Sequence, residues 1–179
     1  MSTLNQFILF SEYNKLMNQR ILESAKQLTL EQLKGDRGAF FKSVLGTLNH
    51  ILVGDIIWLK RFSIHPKNQK ALEYITSLDH PASLDTILFD DLDSLRLVRK
   101  KVDEVLICWI AGLSEGDIET CLSYKNMAGI QQNKLLESLI SHLFLHQVHH
   151  RGQVTTLISQ SGVDFGDTDI LEITDDLPA

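Results

Sequence analysis

The sequence of 179 residues contains only two cysteines and three prolines. Two cysteines cannot form the disulfide framework of a small secreted protein, so Cys108 and Cys121 are expected to be free thiols. The first residues lack the charged stretch followed by an apolar one that marks a secretory signal, which favours a reducing, cytoplasmic setting. The longest uninterrupted apolar run, 105–113, contains Gly112 and is too short to cross a bilayer. The sequence therefore predicts a cytoplasmic protein without a membrane segment.

Basic residues are also scarce. Lys and Arg total 17 against 23 Asp and Glu, which gives a formal net charge of -6. Proteins that bind nucleic acid need a concentrated excess of Lys and Arg to neutralise phosphates, so no nucleic-acid partner is expected. The one basic cluster, 96–101, is interpreted as the solvent-facing side of a helix.

The remaining composition, 44% hydrophobic and 22% charged, is typical of a globular protein, and the length fits a single domain over residues 1–179. Apolar residues recur at helical spacing in four long segments. A long polar connection separates the second segment from the third, and turn residues before the fourth allow a small β-hairpin with strands near 120–124 and 130–133. The predicted fold is all-α, a four-helix bundle with a long crossover connection. The four helices are expected at about 2–28, 41–62, 88–113 and 133–160.

Four of the seven histidines lie in the stretch 142–153 of the fourth helix. At 100° per residue, His146 and His150 fall within or beside the apolar face, whereas His142 and His149 lie further round. The first pair is one turn apart, about 6 Å along the helix axis, which a single metal ion can bridge. Histidines that are only hydrogen-bonded within the core remain the competing interpretation.

The second helix carries His50 among apolar neighbours. Gly54, one turn later, leaves space beside the ring for an ion, a water or a ligand, although close packing of another helix explains a glycine equally well. In a bundle, side chains on facing helices commonly build metal sites. Three imidazoles with a fourth position open to water or substrate are an arrangement of catalytic zinc. The candidate ligands are therefore His50, His146 and His150.

The residue order also resembles a known family. His-Gln-Val-His-His-Arg-Gly-Gln at 146–153 is similar to a motif of the DinB family of metal-dependent proteins, as are Leu-Asn-His-Ile-Leu-Val-Gly-Asp-Ile-Ile-Trp-Leu at 48–59 and Glu-Tyr-Asn-Lys-Leu-Met-Asn-Gln-Arg at 12–20. The resemblance extends over nearly the whole chain. It implies an up-down-down-up four-helix bundle, often a homodimer, that holds a divalent ion, nickel or zinc in most examples.

Carried over residue by residue, the family's ligands are His50, His146 and His150. His149, Arg151 and Gln153 match the pattern too and are interpreted as residues that support the ligands or pack around them.

The expected function is that of a metal-dependent enzyme, a thiol-dependent transferase or a hydrolase acting on a small-molecule substrate. Some relatives of this fold use a low-molecular-weight thiol, and a metal ion can lower the pKa of a bound thiol or water. A non-catalytic metal-binding or sensing module that acts as a homodimer is the alternative. Tyr13, Tyr124 and Asp55 are candidate general bases, but no residue pattern selects one of them.

Overall fold

A computed structural model describes residues 2–65 and 68–174. The chain is mostly helical, as predicted, and the small antiparallel hairpin is present. Within the described residues, no helix is long and apolar enough to span a membrane. The elements in order are α1 (Thr3–Ala25), α2 (Leu30–Lys34), α3 (Val44–Phe62), α4 (Glu73–Ser77), α5 (Leu92–Ala111), α6 (Glu115–Ile118), β1 (Cys121–Lys125), β2 (Gln131–Leu135), α7 (Leu136–Gln160) and a 3-10 helix (Ile170–Ile173).

Local capping residues set the helix boundaries. The Thr29 hydroxyl and the Gln32 side chain form the capping box that their spacing predicts, at the start of α2. The predicted start of α3 at Phe41 is wrong by three residues, because Lys42 has a positive φ of 67° and the Ser43 hydroxyl accepts the Gly46 amide at 3.0 Å. Phe41 is thereby left outside the helix.

The four long helices contact one another in a closed order. α1 packs against α5 and α7, and α3 packs against the same two helices. Of the 19 residues of α3, 16 are buried, which agrees with its nearly continuous apolar sequence. These contacts place one face of α3 directly against α7, the two helices that carry the candidate ligands. The up-down-down-up order of a bundle stays a prediction.

The crossover from α3 to α5 is tied to α3 by side chains. The Asn49 amide donates to the Phe89 carbonyl and accepts from the Phe89 amide, both at 2.9 Å. The Lys60 ammonium donates to the Leu78 carbonyl at 2.5 Å. The crossover was predicted to be irregular, but it includes the single turn α4, and residues 66 and 67 lie outside the described part. These bonds hold Leu84 of the crossover against α3.

A buried set of charged and amide side chains joins α1, α3, α5 and α7. We call it the ionic cluster: Asp55, Arg99, Asp103 and Arg151 with the amides of Asn14, Asn18 and Gln147. Arg99 is 3% exposed and forms ion pairs with Asp55 and, at 2.8 Å, with Asp103. The interpretation of 96–101 as a solvent-facing basic strip is therefore wrong for Arg99. It lies on the buried stripe of α5, one turn after Leu95, where the two carboxylates compensate its charge.

Candidate metal centre

Three histidines from α3 and α7 meet at one point. The Nε2 atom of His50 lies 3.1 Å from the Nε2 atoms of both His146 and His150. One ring nitrogen from each of the three lies within 4.8 Å of the others, a separation that a metal ion can bridge. We call these three residues the histidine cluster. The structure thus brings together the three residues that were selected as candidate ligands from their positions on the helix faces.

Hydrogen bonds fix the tautomers of two of these rings. The Nδ1 atom of His50 lies 2.7 Å from the Leu84 carbonyl oxygen, and the Nδ1 atom of His150 lies 2.9 Å from the Gln153 Oε1 atom. A carbonyl oxygen only accepts, so both Nδ1 atoms carry the proton. The neutral rings then direct unprotonated Nε2 atoms toward each other, which is the form that binds metal.

Burial keeps the three rings neutral at pH 7. His50 is 4% exposed, and burial lowers its pKa. Burial, together with the charges that His150 and His50 would carry, lowers the pKa of His146 to about 3. The pKa of His150 is lowered mainly by burial as well. A neutral imidazole is the ligand form, so protons do not compete with a cation here near neutral pH.

Neighbouring groups restrict where the rings can lie. The Phe41 ring stacks on His50 with 3.7 Å between centroids and 15° between planes. A Cβ atom added to Gly54 would come within 2.8 Å of His146 Cε1. The space beside Gly54 therefore holds the His146 ring, so close approach of α7 is the physical reason for this glycine.

The other residues that match the family motif point in different directions. Gln153 bonds to His150, and its amide nitrogen lies 3.3 Å from Nε2 of the exposed His149. Arg151 instead joins the ionic cluster, where it donates to Asn14 and, at 3.3 Å, to Gln147. The structure therefore places Gln153 against the histidine cluster and Arg151 away from it.

The three candidate general bases are placed differently. Asp55 is 1% exposed and is bound by Arg99 and by the Gln147 amide within the ionic cluster. The Tyr13 hydroxyl donates to the Thr168 carbonyl at 2.6 Å. Of the three, Tyr124 alone lies beside the histidine cluster, in the wall of a cleft.

The cleft opens directly next to the histidine cluster. Its volume is about 510 Å³, in the range of small-molecule sites, and His50 and His146 form part of its wall. Sequence reasoning missed it because β1 and the hairpin turn supply one wall, while α3 supplies the other. The available signal was Trp58 and Arg61, which follow His50 along one side of α3. The remaining wall consists mainly of Ile57, Leu84, Tyr124, Met127 and His142.

Comparison with known proteins gives two matches. The family model described as DinB family matches residues 1–176. Protein DinB of Bacillus subtilis (strain 168) is 24% identical over 158 residues, which cover 88% of this chain and 87% of that protein. No solved structure matches the chain significantly.

Proposed function

This chain belongs to the DinB family, and from that premise we propose that His50, His146 and His150 bind one divalent metal ion, nickel or zinc. We further propose that the protein is a metal-dependent enzyme, a thiol-dependent transferase or a hydrolase of a small molecule. Its four long helices form the up-down-down-up bundle expected of this family. The three donors suit this choice of metal, since imidazole nitrogens bind zinc and nickel well.

One observation carries the metal proposal. His50 and His150 both have their protons on Nδ1, yet their Nε2 atoms lie only 3.1 Å apart. Two unprotonated nitrogens at this distance present lone pairs to each other, which is repulsive. A cation held by these residues would remove this repulsion, whereas an ordinary hydrogen-bonded pair of core histidines has no such conflict.

The protein's own residues would position both the ion and the substrate. The Leu84 carbonyl and the Gln153 amide hold two imidazoles in the ligand tautomer, and Phe41 fixes the plane of the His50 ring. A divalent ion held there would supply Lewis acidity, lowering the pKa of a water or thiol at neutral pH. The cleft brings a small molecule against His50 and His146, between walls that are largely apolar.

Metal content tests the centre directly. Protein expressed without a histidine tag is loaded with zinc or nickel, desalted, and measured by mass spectrometry. We expect about one ion per chain, lost in both His50→Ala and His146→Ala and retained in the matched control His80→Ala, which removes an exposed histidine of the crossover. A wild-type protein that stays empty after loading contradicts the proposal.

A non-catalytic metal-binding or sensing module that acts as a homodimer is the second candidate. It is favoured by Leu145, which is 68% exposed on α7 beside the half-exposed Val148, next to an apolar hollow that Phe10 lines. Cobalt-loaded protein separates the candidates, since an enzyme must admit a thiol or water at the ion. A visible spectrum that changes on adding a thiol supports the enzyme. An unchanged spectrum, together with a dimer that Leu145→Glu dissociates, supports the module.

A further inference from the structure

The cleft beside the histidine cluster contains a cation that the metal-binding residues do not use. Arg61 follows His50 by three helical turns on the same side of α3. Its guanidinium carbon lies 4.5 Å from the centroid of the Trp58 ring and 5.1 Å from that of Tyr124. Stacking on rings leaves the N–H groups at the edge of the guanidinium free to donate. The two aromatic residues thus hold the group at the wall of the cleft with its donors available.

No carboxylate within the described residues forms an ion pair with Arg61. Arg20, Arg96 and Arg99, by contrast, each have a carboxylate partner, and the buried Arg151 donates to the amides of Asn14 and Gln147. Arg61 is half-buried, and burial lowers its pKa with no carboxylate to offset the loss of hydration. A partly buried guanidinium without a counter-ion is costly, which is unusual unless a ligand supplies the opposite charge.

The cleft has a positive charge, whereas the net charge of the whole chain is negative. The formal net charge is -6, yet the residues that line the cleft include Arg61 and neither Asp nor Glu. The three histidines of the wall, His50, His142 and His146, carry no negative charge in either protonation state. An anion that enters the cleft therefore meets one cation and no opposing carboxylate.

The dimensions suit a small molecule that spans the cleft. His146 packs against Gly54, and Arg61 lies seven residues further along α3, a rise of about 10 Å. Between these ends the wall is apolar and aromatic, formed chiefly by Ile57, Trp58 and Met127. The ligand that matches has an anionic group at one end, an apolar body, and a reacting group about 10 Å away.

We propose that Arg61 determines the substrate class of this cleft by binding the carboxylate or phosphate of a small organic anion whose other end reaches the histidine cluster. The apolar body of this ligand lies against Trp58 and Tyr124. The assignment as a substrate rests on the metal-dependent function proposed above, whereas anion binding by Arg61 needs no metal. A guanidinium pairs with either anion through two parallel hydrogen bonds, so both groups are tested.

Ligand binding to the full chain tests this proposal. The probes are 4-phenylbutyrate, phenethyl phosphate and the neutral 4-phenylbutyramide, titrated into metal-loaded and metal-free protein. The fluorescence of Trp58 reports binding in the cleft, since the other tryptophan, Trp109, is buried in the core. The variants are Arg61→Gln, Arg61→Lys, and the matched control Lys100→Gln, which removes one exposed positive charge from α5. Circular dichroism confirms that each variant is folded.

We expect wild-type protein to bind at least one of the two anions tenfold or more tightly than the amide, with and without metal. Arg61→Gln should reduce this preference to less than twofold, Arg61→Lys should keep part of it, and Lys100→Gln should keep all of it. The stronger anion identifies the group that Arg61 recognises. Equal affinity for anions and amide, absence of binding, or a preference that survives in Arg61→Gln overturns the proposal.

The same samples separate the two proposals. A protein that holds no metal but prefers the anion through Arg61 contradicts the metal centre alone. One that holds an ion at the histidines and does not distinguish anion from amide contradicts the anion site alone.

Discussion

The histidine cluster and the ionic cluster are neighbouring buried polar groups, and both include residues of α3 and α7. His50 and Asp55 are only five positions apart on α3, but they face different partners. In the ionic cluster two guanidiniums and two carboxylates compensate each other and amide side chains supply further hydrogen bonds. In the histidine cluster three neutral rings turn their lone pairs toward one point. Opposite charges from within the protein favour a structural role for the first, although Asp55 Oδ1 and Asp103 Oδ2 have no hydrogen-bond partner in the described part of the chain. Among the described residues, the lack of any compensating charge supports the metal site proposed for the second.

Removing Arg99, the cation that Asp55 and Asp103 share, should have the largest effect on stability. Arg99→Ala leaves the Asp55 and Asp103 carboxylates buried with half their positive charge gone, at a cost of about 3–5 kcal/mol. The free energy of unfolding, measured by urea titration at pH 7.5, should fall by that amount. The exposed neighbour Lys100→Ala should change it by less than about 0.5 kcal/mol. A loss below about 1 kcal/mol for Arg99→Ala would contradict a structural role for the cluster.

The histidine cluster should contribute stability only through its ion. At free zinc about 1,000 times the dissociation constant, wild-type protein should gain about 4 kcal/mol in its free energy of unfolding. His150→Ala should lose this gain while its metal-free stability stays close to that of metal-free wild type. Thermal unfolding with and without zinc gives both numbers. A metal-free His150→Ala protein destabilised as much as Arg99→Ala would mean that the two clusters have the same role.

A methyl group added at Gly54 tests the packing between the clusters. Its Cβ atom would lie 2.8 Å from His146 Cε1, so Gly54→Ala must displace the ring and should weaken metal affinity tenfold or more, about 1.4 kcal/mol. Competition with a chelator measures the affinity. The matched control is Gly152→Ala on α7, where an added Cβ meets nothing within 4 Å. It should keep the metal affinity and raise stability by up to about 1 kcal/mol, because alanine favours the helix.

The ionic cluster should also respond to pH through Asp103. Burial raises the pKa of this carboxyl to about 6, against the opposing effects of Arg99 and Asn18. The folded state therefore binds this proton more readily than the unfolded chain, in which the pKa is near 3.8. The contribution of Asp103 to stability therefore rises as pH falls through 6 and levels off below 3.8. From pH 7.5 to 5, wild type should gain about 1.4 kcal/mol relative to Asp103→Asn in parallel denaturant titrations. A constant difference would contradict this.

Helical periodicity is strong enough in this chain to predict the long helices and the facing of three histidines. Periodicity predicts that His146 and His150 face the same way because they lie one turn apart on one helix. It also works for His50, which lies in an apolar segment that had to be buried. The hairpin was predicted from the turn residues between 124 and 130. The start of α3 was placed three residues too early because Ser43, and not a residue before Phe41, caps the helix.

Arg99 illustrates the opposite case. The spacing of α5 places it on the apolar stripe, one turn after Leu95, but a basic residue among basic neighbours is ordinarily exposed. Its burial depends on Asp55, 44 residues earlier, and on amides from α1 and α7. A charge is buried only where such partners converge, and their convergence is a property of the packed helices.

The sequence by itself determined the family, the helical segments and the three candidate ligands, because these depend on residue identity and on spacing within one element. Tertiary structure decided which carbonyl sets the tautomer of His50, which ring fills the space at Gly54, and that Arg61 faces a cleft without a carboxylate. Each of these joins residues from separate elements, and the packing of α3 against α7, the crossover and the hairpin fixes their distances. Chemistry at the site depends on those distances.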